Sequence, residues 1–258
     1  MVDMLLNEMS VRYGALAKPA VAGVSLKLAQ GSRIGLVGET GSGKTTTALA
    51  IAGLLPEYAL LEGQVTVGDC ELTSANSETL RNYRVNTVGY VPQNAQSALN
   101  PVRTVAFSFR ERARGRGERK RPEIYAQAHE LLRSVGFSDP DRILRAYPHQ
   151  LSGGMRQRVL IAIALYGSPP IIIADEPTSG LDVSIQAGII KLISELNRRQ
   201  SLVIITHDLS VAGLLCDEIC VMYRGSVVEI GPTSQILSNP NHDYTRQLVS
   251  AAAVSRDE

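Results

Sequence analysis

Hydrophobic and polar positions alternate in short runs over residues 5–37, and Gly14, Gly23 and Gly31 interrupt these runs. Alternation broken by glycine is typical of β-strands joined by turns. The last apolar run, residues 34–37, leads directly into a glycine-rich segment, after which residues 44–55 have the composition of a helix. The pattern therefore predicts strands followed by a strand–loop–helix unit.

Two continuous apolar runs, residues 171–174 and 202–206, lie farther along the chain. Uninterrupted runs of this kind are typical of parallel strands that are buried on both faces. Residues 183–199 have a helical pattern and are predicted to connect the two strands as a crossover.

A β-hairpin is predicted after these strands, with residues 219–223 and 226–230 joined by a turn at Arg224 and Gly225. Between residues 103 and 144 the chain is instead rich in charge with helix-like spacing, and no central strand is predicted from there until Ile171. This stretch is interpreted as an inserted helical subdomain.

Composition narrows the classes of protein that the pattern allows. The chain has 258 residues and 44% hydrophobic content, enough for one large domain or a domain with an inserted subdomain. Lys plus Arg (26) nearly balances Asp plus Glu (25), so the net charge of +1 gives no reason to expect nucleic acid as a partner. The basic run Arg110–Arg121 is interpreted as solvated, with Gly115 and Gly117 indicating a mobile loop.

The longest apolar stretch, residues 159–165, is too short to span a bilayer, and no charged-then-apolar leader opens the sequence. The three cysteines, Cys70, Cys216 and Cys220, are scattered and odd in number, which favours a reducing compartment over a disulfide framework. The spacing of Cys216 and Cys220 could indicate a metal site, but Cys220 lies in a strand-like run where a cysteine acts as a small hydrophobic residue. We therefore expect a soluble protein that is not exported from the compartment in which it is synthesised.

The glycine-rich segment fits a phosphate-binding loop, because glycines let backbone N–H groups converge on phosphate oxygens at the start of a helix. Lys44 is expected to pair with the β- and γ-phosphates of ATP, and the Thr45 hydroxyl to ligate Mg²⁺. An ordinary glycine turn does not explain the strand–loop–helix context. The predicted nucleotide-binding residues here are Gly38, Glu39, Thr40, Gly41, Ser42, Gly43, Lys44, Thr45 and Thr46.

Two adjacent acids, Asp175 and Glu176, follow the first apolar run. Asp175 is predicted to reach the same Mg²⁺, and Glu176 to take a proton from the attacking water as general base. In the alternative, where both acids cap a helix or ligate the ion, the water has no partner. His207 follows the second run, so in a parallel sheet it lies at the same carboxyl edge and can contact the γ-phosphate.

A second anion-binding helix end is predicted at Ser152, Gly153 and Gly154, where the serine caps a helix and the glycines expose backbone donors. One nucleotide hardly needs two such ends, so this one is expected to complete the ATP site of another subunit. A plain serine-capped helix would explain Ser152 but not the paired glycines.

These motifs together resemble the nucleotide-binding subunits of ATP-binding cassette (ABC) transporters over nearly the full chain. The resemblance implies that Tyr13 stacks on adenine, that Gln93 senses the γ-phosphate, joins the Mg²⁺ ligands and faces a membrane partner, and that the loop ending at Asp182 crosses a dimer interface. It also implies an α/β fold with a P-loop NTPase-type, mainly parallel sheet core, an antiparallel β subdomain and an inserted helical subdomain. The expected divisions of this single domain are a core at 1–92 and 159–230, a helical subdomain at 93–158 and a tail at 231–258.

Further segments resemble the oligopeptide, dipeptide and nickel importer branch: residues 97–101, 147–150, 181–187, 221–223 and 239–245. Asp243 departs from that branch, which usually has proline there. Many members continue beyond the equivalent of Glu258 into a cysteine-containing tail that resembles a cluster-binding segment, so no iron–sulfur site is expected.

The resemblance implies an ATP-hydrolysing subunit of an importer for peptides, nickel or metal chelates, peripheral on the cytoplasmic face of the membrane and using ATP and Mg²⁺. The expected partners are a second ATPase subunit, identical or paralogous, in a head-to-tail nucleotide-sandwich dimer, two transmembrane permease subunits and, indirectly, an extracytoplasmic solute-binding protein. Two alternatives stay open: the ATPase of a soluble phosphonate-degrading (carbon–phosphorus lyase-like) complex, and a regulatory nucleotide-binding module without turnover.

Overall fold

Two β-sheets organise the part of the chain that the structure, a computed structural model, describes: residues 3–14, 18–195 and 200–254. One sheet has the strand order β10-β9-β3-β8-β7-β6 and the other β2-β1-β4-β5. The strands are β1 (Met4–Tyr13), β2 (Val21–Leu28), β3 (Arg33–Val37), β4 (Ala59–Val67), β5 (Cys70–Glu71), β6 (Val88–Val91), β7 (Ile171–Asp175), β8 (Ser201–Thr206), β9 (Glu218–Tyr223) and β10 (Ser226–Pro232).

The larger sheet is parallel except at one edge. Strand β3 pairs in parallel with β8 and β9, β7 pairs in parallel with β8 and β6, and β10 is antiparallel to β9. Alternate residues of β7 enter different cores: Ile171 and Ile173 pack with the smaller sheet, whereas Ile172 and Ala174 pack with the helices. Burial on both faces explains the continuous apolar run. The strand pairings confirm the predicted parallel sheet and the C-terminal hairpin.

The smaller sheet is antiparallel throughout, with β1 pairing with both β2 and β4. Its inward-facing residues, among them Leu6, Val24 and Val65, share one core with helix α1 (Lys44–Ile51) and the near face of the larger sheet. Gly23, expected at a turn, instead lies inside β2 with φ +61°. The predicted α/β fold with an antiparallel β subdomain is confirmed.

Helices pack against both faces of the larger sheet and its ends, and the first of them lies in the core between the two sheets. They are α1 (Lys44–Ile51), α2 (Ser77–Asn86), α3 (Ala95–Ala98), α4 (Val105–Gly115), α5 (Arg121–Ser134), α6 (Pro140–Arg145), α7 (Gly153–Leu165), α8 (Val183–Ser194), α9 (Leu209–Leu215), α10 (Thr233–Ser238) and α11 (Asp243–Val254). None of the helices in the described ranges has the length and apolar character needed to cross a bilayer.

Several helix ends differ from the predicted ones. Helix α1 stops at Ile51, short of residue 55, because Gly53 has a left-handed φ of +64° and Pro56 follows. Helix α8 ends at Ser194, and residues 196–199 of the predicted crossover lie outside the described residues. Helices α3–α6 lie within the predicted helical segment 93–158, while α7 continues past residue 158; the domain boundaries stay predictions.

The interpretation of the basic run as a solvated mobile loop is wrong at Arg112 and Arg116. Helix α4 extends to Gly115. The half-buried Arg112 donates to the carbonyl oxygens of Arg84 (3.0 Å) and Val88 (2.7 Å), and Arg116 donates to the carbonyl of Val85 and to Glu118. These arginines therefore fasten the helical subdomain to α2 and β6, a role that composition alone does not reveal.

Candidate nucleotide-binding site

The glycine-rich loop connects the carboxyl end of β3 to the first turn of α1. Gly38 and Gly43 have φ values of +145° and +100°, in the region that favours glycine. A Cβ on Gly38 would lie 2.1 Å from the carbonyl oxygen of Met222, so only glycine fits there. The loop is therefore shaped by both local conformation and close packing against β9.

Lys44 turns its ammonium group back onto the loop. Its Nζ donates to the carbonyl oxygens of Gly38 (2.7 Å) and Glu39 (2.8 Å), and the residue is 5% exposed. Burial lowers the pKa of Lys44, and the nearby carboxylates of Glu176 and Asp175 oppose this shift. The result is a buried cation held by carbonyl groups that a phosphate could replace.

Asp175 ends β7 directly beside the loop. Its Oδ1 accepts a 3.3 Å hydrogen bond from the Thr45 hydroxyl and its Oδ2 a 3.2 Å bond from the Tyr90 hydroxyl. The residue is 2% exposed, and burial raises the pKa of its carboxyl group. A buried carboxylate beside a hydroxyl is a hard oxygen donor set, so these residues fit Mg²⁺.

Glu176 has an unusual backbone conformation for a residue with a side chain, with φ +43°. Its N–H donates to the carbonyl of Ile205 at 2.8 Å, which fixes this strained position against β8. Its carboxylate accepts a 2.7 Å hydrogen bond from Gln93 Nε2, and His207 Nδ1 lies 3.3 Å from its other oxygen. Two side chains from the neighbouring strand ends therefore meet at the Glu176 carboxylate.

These groups surround one cleft of about 450 Å³. Its lining includes Thr40, Gly41, Gly43, Lys44, Thr45, Thr46, Gln93, Glu176 and His207. Most of the residues predicted to bind or hydrolyse nucleotide thus come together, and their arrangement follows from the parallel alignment of β3, β6, β7 and β8.

Tyr13 reaches this cleft through the helix that follows the loop. Its hydroxyl donates to the Thr46 hydroxyl at 3.3 Å, and its ring centroid lies 6.0 Å from that of Tyr58. Tyr58 is strongly exposed and was not predicted as part of the site. The pair presents aromatic surface beside the cleft, as base stacking requires.

The predicted second helix end does not line the cleft. Ser152 caps α7, its Oγ accepting a 3.3 Å hydrogen bond from the N–H of Met155, which leaves its hydroxyl proton available to a ligand. A Cβ on Gly153 would lie 3.6 Å from Leu181 of the loop before Asp182. The α7 N-terminus and the loop before Asp182 are therefore in contact and form one surface outside the cleft.

Gly154 has a packing reason that the sequence interpretation missed. A Cβ at this position would lie 2.6 Å from Cγ2 of Ile185 in α8. The paired glycines therefore do not both require an anion to explain them. At Gly153, by contrast, a Cβ would fit without a clash, so packing does not require glycine at this position.

One supporting residue and one supporting contact left no local signal in the sequence. Tyr90 holds Asp175, but it appears only as an aromatic residue in the short strand β6. The Gln93 contact with Glu176 joins residues 83 positions apart and depends on the pairing of β6 with β7. Such contacts become visible only when the strand order is known.

Comparison with known proteins gives consistent matches. The family model described as "ABC transporter" matches residues 21–179. The oligopeptide transport ATP-binding protein AppD of Bacillus subtilis is 41% identical over 240 residues, covering 92% of this chain and 73% of that protein. The dipeptide transport ATP-binding protein DppD of Caldanaerobacter subterraneus is 42% identical over 252 residues, covering 96% and 76%.

The structure also resembles a solved ATP-binding cassette, MJ0796, in a dimeric post-hydrolysis state bound to ADP and Pi. The TM-score is 0.79 at 29% identity, with 89% of this chain and 98% of that chain covered.

Proposed function

The chain belongs to the ABC transporter family, and we propose that it is the ATP-hydrolysing subunit of a peptide importer. The observation that carries the proposal is the meeting of Lys44, Glu176 and His207 at one cleft, where Asp175 accepts a hydrogen bond from Thr45 of the cleft wall. The relatives are transport ATP-binding proteins for oligopeptides and dipeptides, which supports peptides as the cargo class.

ATP binding begins at the loop of residues 38–45. The ammonium of Lys44 leaves the carbonyls of Gly38 and Glu39 and pairs with the β- and γ-phosphates, while loop N–H groups donate to phosphate oxygens. Tyr13 stacks on the adenine. Burial of Lys44 strengthens this pairing because water competes poorly for the charge.

Thr45 and Asp175 would hold Mg²⁺, with Gln93 contributing its amide oxygen as the third ligand. When bound, the ion supplies charge neutralisation at the β- and γ-phosphates. Tyr90 keeps Asp175 oriented through its hydroxyl hydrogen bond. The donation of Gln93 Nε2 to Glu176 leaves the Gln93 oxygen for the ion.

Glu176 acts as the general base. Its carboxylate takes a proton from the attacking water, and the left-handed backbone and the contacts with Gln93 and His207 hold that carboxylate in place. His207 contacts the γ-phosphate and stabilises charge there. The arrangement therefore provides a positioned base at the carboxyl edge of the sheet.

A second ATPase subunit, identical or paralogous, completes the site. Ser152 and Gly153 at the start of α7 bind the γ-phosphate held by the partner, and the loop ending at Asp182 crosses the same interface. Val183 beside this loop is 83% exposed, so its side chain is open to contact with another chain. The dimeric form named for MJ0796 supports this arrangement.

Dimer closure is transmitted to two transmembrane permease subunits, which receive peptide from an extracytoplasmic solute-binding protein. The position proposed for the subunit is therefore the cytoplasmic face of the membrane. Gln93 connects the hydrolysis site to residues 94–102, where Val102 is 74% exposed and available for a permease contact. Hydrolysis breaks the closed state and resets the permease.

The test is isolation of the tagged full chain from membranes in mild detergent, followed by identification of copurifying proteins and measurement of peptide uptake. We expect membrane-spanning subunits, and peptide uptake that is lost in Glu176→Gln but kept in Glu57→Gln, an exposed control. Copurification with soluble phosphonate-degrading enzymes alone, or peptide uptake unaffected by Glu176→Gln, would overturn the proposal.

A further inference from the structure

The segment at residues 239–245 has no role in the mechanism above, yet it contacts the phosphate loop. The Glu39 N–H donates a 2.9 Å hydrogen bond to the hydroxyl oxygen of Tyr244, a residue 205 positions away in the chain. Tyr244 lies in the first turn of α11 and is 7% exposed. The contact is therefore a partly buried, long-range hydrogen bond between the C-terminal helix and the loop.

The Tyr244 hydrogen bond restrains Glu39, whose carbonyl oxygen binds the Lys44 ammonium group. The Glu39 carbonyl accepts from Lys44 Nζ at 2.8 Å, while the Glu39 N–H is held by Tyr244. Both backbone groups of Glu39 are thus engaged, one by the phosphate-binding cation and one by α11. Because the loop must keep its N–H groups converged on phosphate, restraint of Glu39 reduces the conformational entropy lost on binding.

A second hydrogen bond from the C-terminal part of the chain restrains the other half of the loop. The Gly225 N–H, in the turn between β9 and β10, donates to the Ser42 carbonyl at 3.1 Å. The loop is therefore held on two sides by chain segments far from it in sequence.

Contacts within and around residues 239–245 orient Tyr244 toward Glu39. The Glu229 carboxylate in β10 accepts hydrogen bonds from the N–H groups of Asn241 (2.7 Å) and His242 (3.0 Å), and His242 Nδ1 accepts from the Tyr244 N–H at 3.1 Å. The Tyr244 ring lies 4.2 Å, centroid to centroid, from that of Tyr223. Backbone, capping and ring contacts together point the hydroxyl at Glu39.

We propose that Tyr244 is a positioning residue for nucleotide binding, which holds the Glu39 backbone so that Lys44 and the loop are prearranged for ATP. The proposal rests on the proposed function, because it assumes that ATP binds at residues 38–45. It assigns to the closing segment, residues 239–245, the task of tying the C-terminal helix to the phosphate loop.

The test compares Tyr244→Phe with Tyr223→Phe in the full chain. Each variant loses one hydroxyl from the same ring pair, but only Tyr244 contacts the loop through that hydroxyl. We expect Tyr244→Phe to weaken ATP affinity and raise KM about three- to tenfold, the range for one net hydrogen bond, with kcat little changed. Amide hydrogen exchange at Glu39 should accelerate in this variant, while Tyr223→Phe behaves as wild type.

Wild-type affinity and wild-type Glu39 exchange in Tyr244→Phe would overturn the inference, as would equal losses in both variants. A lowered melting temperature with unchanged KM would also overturn it, because that result indicates a structural role alone. Failure of the wild-type chain to bind ATP would instead contradict the proposed function, so the two failures are distinguishable.

Discussion

Gln93 Nε2 donates a 2.7 Å hydrogen bond to Glu176 Oε2, which joins the segment after β6 to the acid after β7. The same carboxylate lies 3.3 Å from His207 Nδ1 after β8. Glu176 is therefore linked to two neighbouring strand ends before nucleotide arrives. A change at either strand end would alter the position of the proposed base.

Glu176→Gln tests that base. The amide keeps the size of the side chain and can still accept from Gln93, but it cannot take a proton. We expect ATP hydrolysis to fall by about 10²-fold or more with ATP binding retained. Steady-state hydrolysis and nucleotide binding measure the two effects, with Glu57→Gln as control. Unchanged hydrolysis would remove Glu176 from the mechanism.

Lys44→Ala tests the phosphate contact. The variant removes the buried cation that rests on Gly38 and Glu39, and we expect it to abolish ATP binding at concentrations that saturate the wild type. Lys120→Ala removes a surface lysine paired with Glu123 and should leave binding unchanged. Equal binding by the two variants would contradict the assigned role of Lys44.

Glu229→Gln tests how the C-terminal helix is anchored. Burial raises the pKa of Glu229, but the hydrogen bonds it accepts, including those from Asn241 and His242, outweigh burial and lower it overall. A lowered pKa stabilises the fold above the ordinary glutamate pKa, and this contribution is lost as the pH falls through the lowered value. We expect the variant to be less stable by about 1 kcal/mol at pH 7.

The pH dependence provides the check on that prediction. Denaturant unfolding should show the difference between wild type and Glu229→Gln shrinking as the pH falls below the ordinary glutamate pKa. The control Glu57→Gln should show no such dependence. A difference that is constant with pH would mean that the charge of Glu229 does not contribute.

The strands of the parallel sheet could be predicted because their burial produces a pattern that is visible along the sequence itself. Residues 171–174 are buried on both faces and are therefore continuously apolar, and the phosphate loop needs glycine at fixed positions. Ser152 was likewise predictable as a helix cap, since capping is a local contact.

The remaining features depend on contacts between distant residues. Gly154 is required by the approach of Ile185, Arg112 by carbonyl groups of α2 and β6, and Tyr244 by the phosphate loop. The sequence around a glycine, an arginine or a tyrosine does not reveal such a distant contact. Strand order and helix packing had to be known first.

Ser152→Arg tests the proposed role of the α7 N-terminus. A large cation there should block approach to a partner's nucleotide, so we expect ATP binding by the monomer to persist and hydrolysis to stop. Ser134→Arg places the same side chain at an exposed helix end in α5 and should keep wild-type hydrolysis. Normal hydrolysis by Ser152→Arg would contradict completion of the site by a partner.

The central claim, that each chain holds half of every site it uses, is tested most directly by mixing Ser152→Arg and Glu176→Gln chains. In a mixed dimer, one site combines the intact loop and base of the first chain with the intact Ser152 of the second. If the wild-type chain alone hydrolyses ATP, an equimolar mixture should recover about one quarter of its rate, since half of randomly paired dimers carry one intact site of two. A mixture as inactive as either variant alone would contradict the claim.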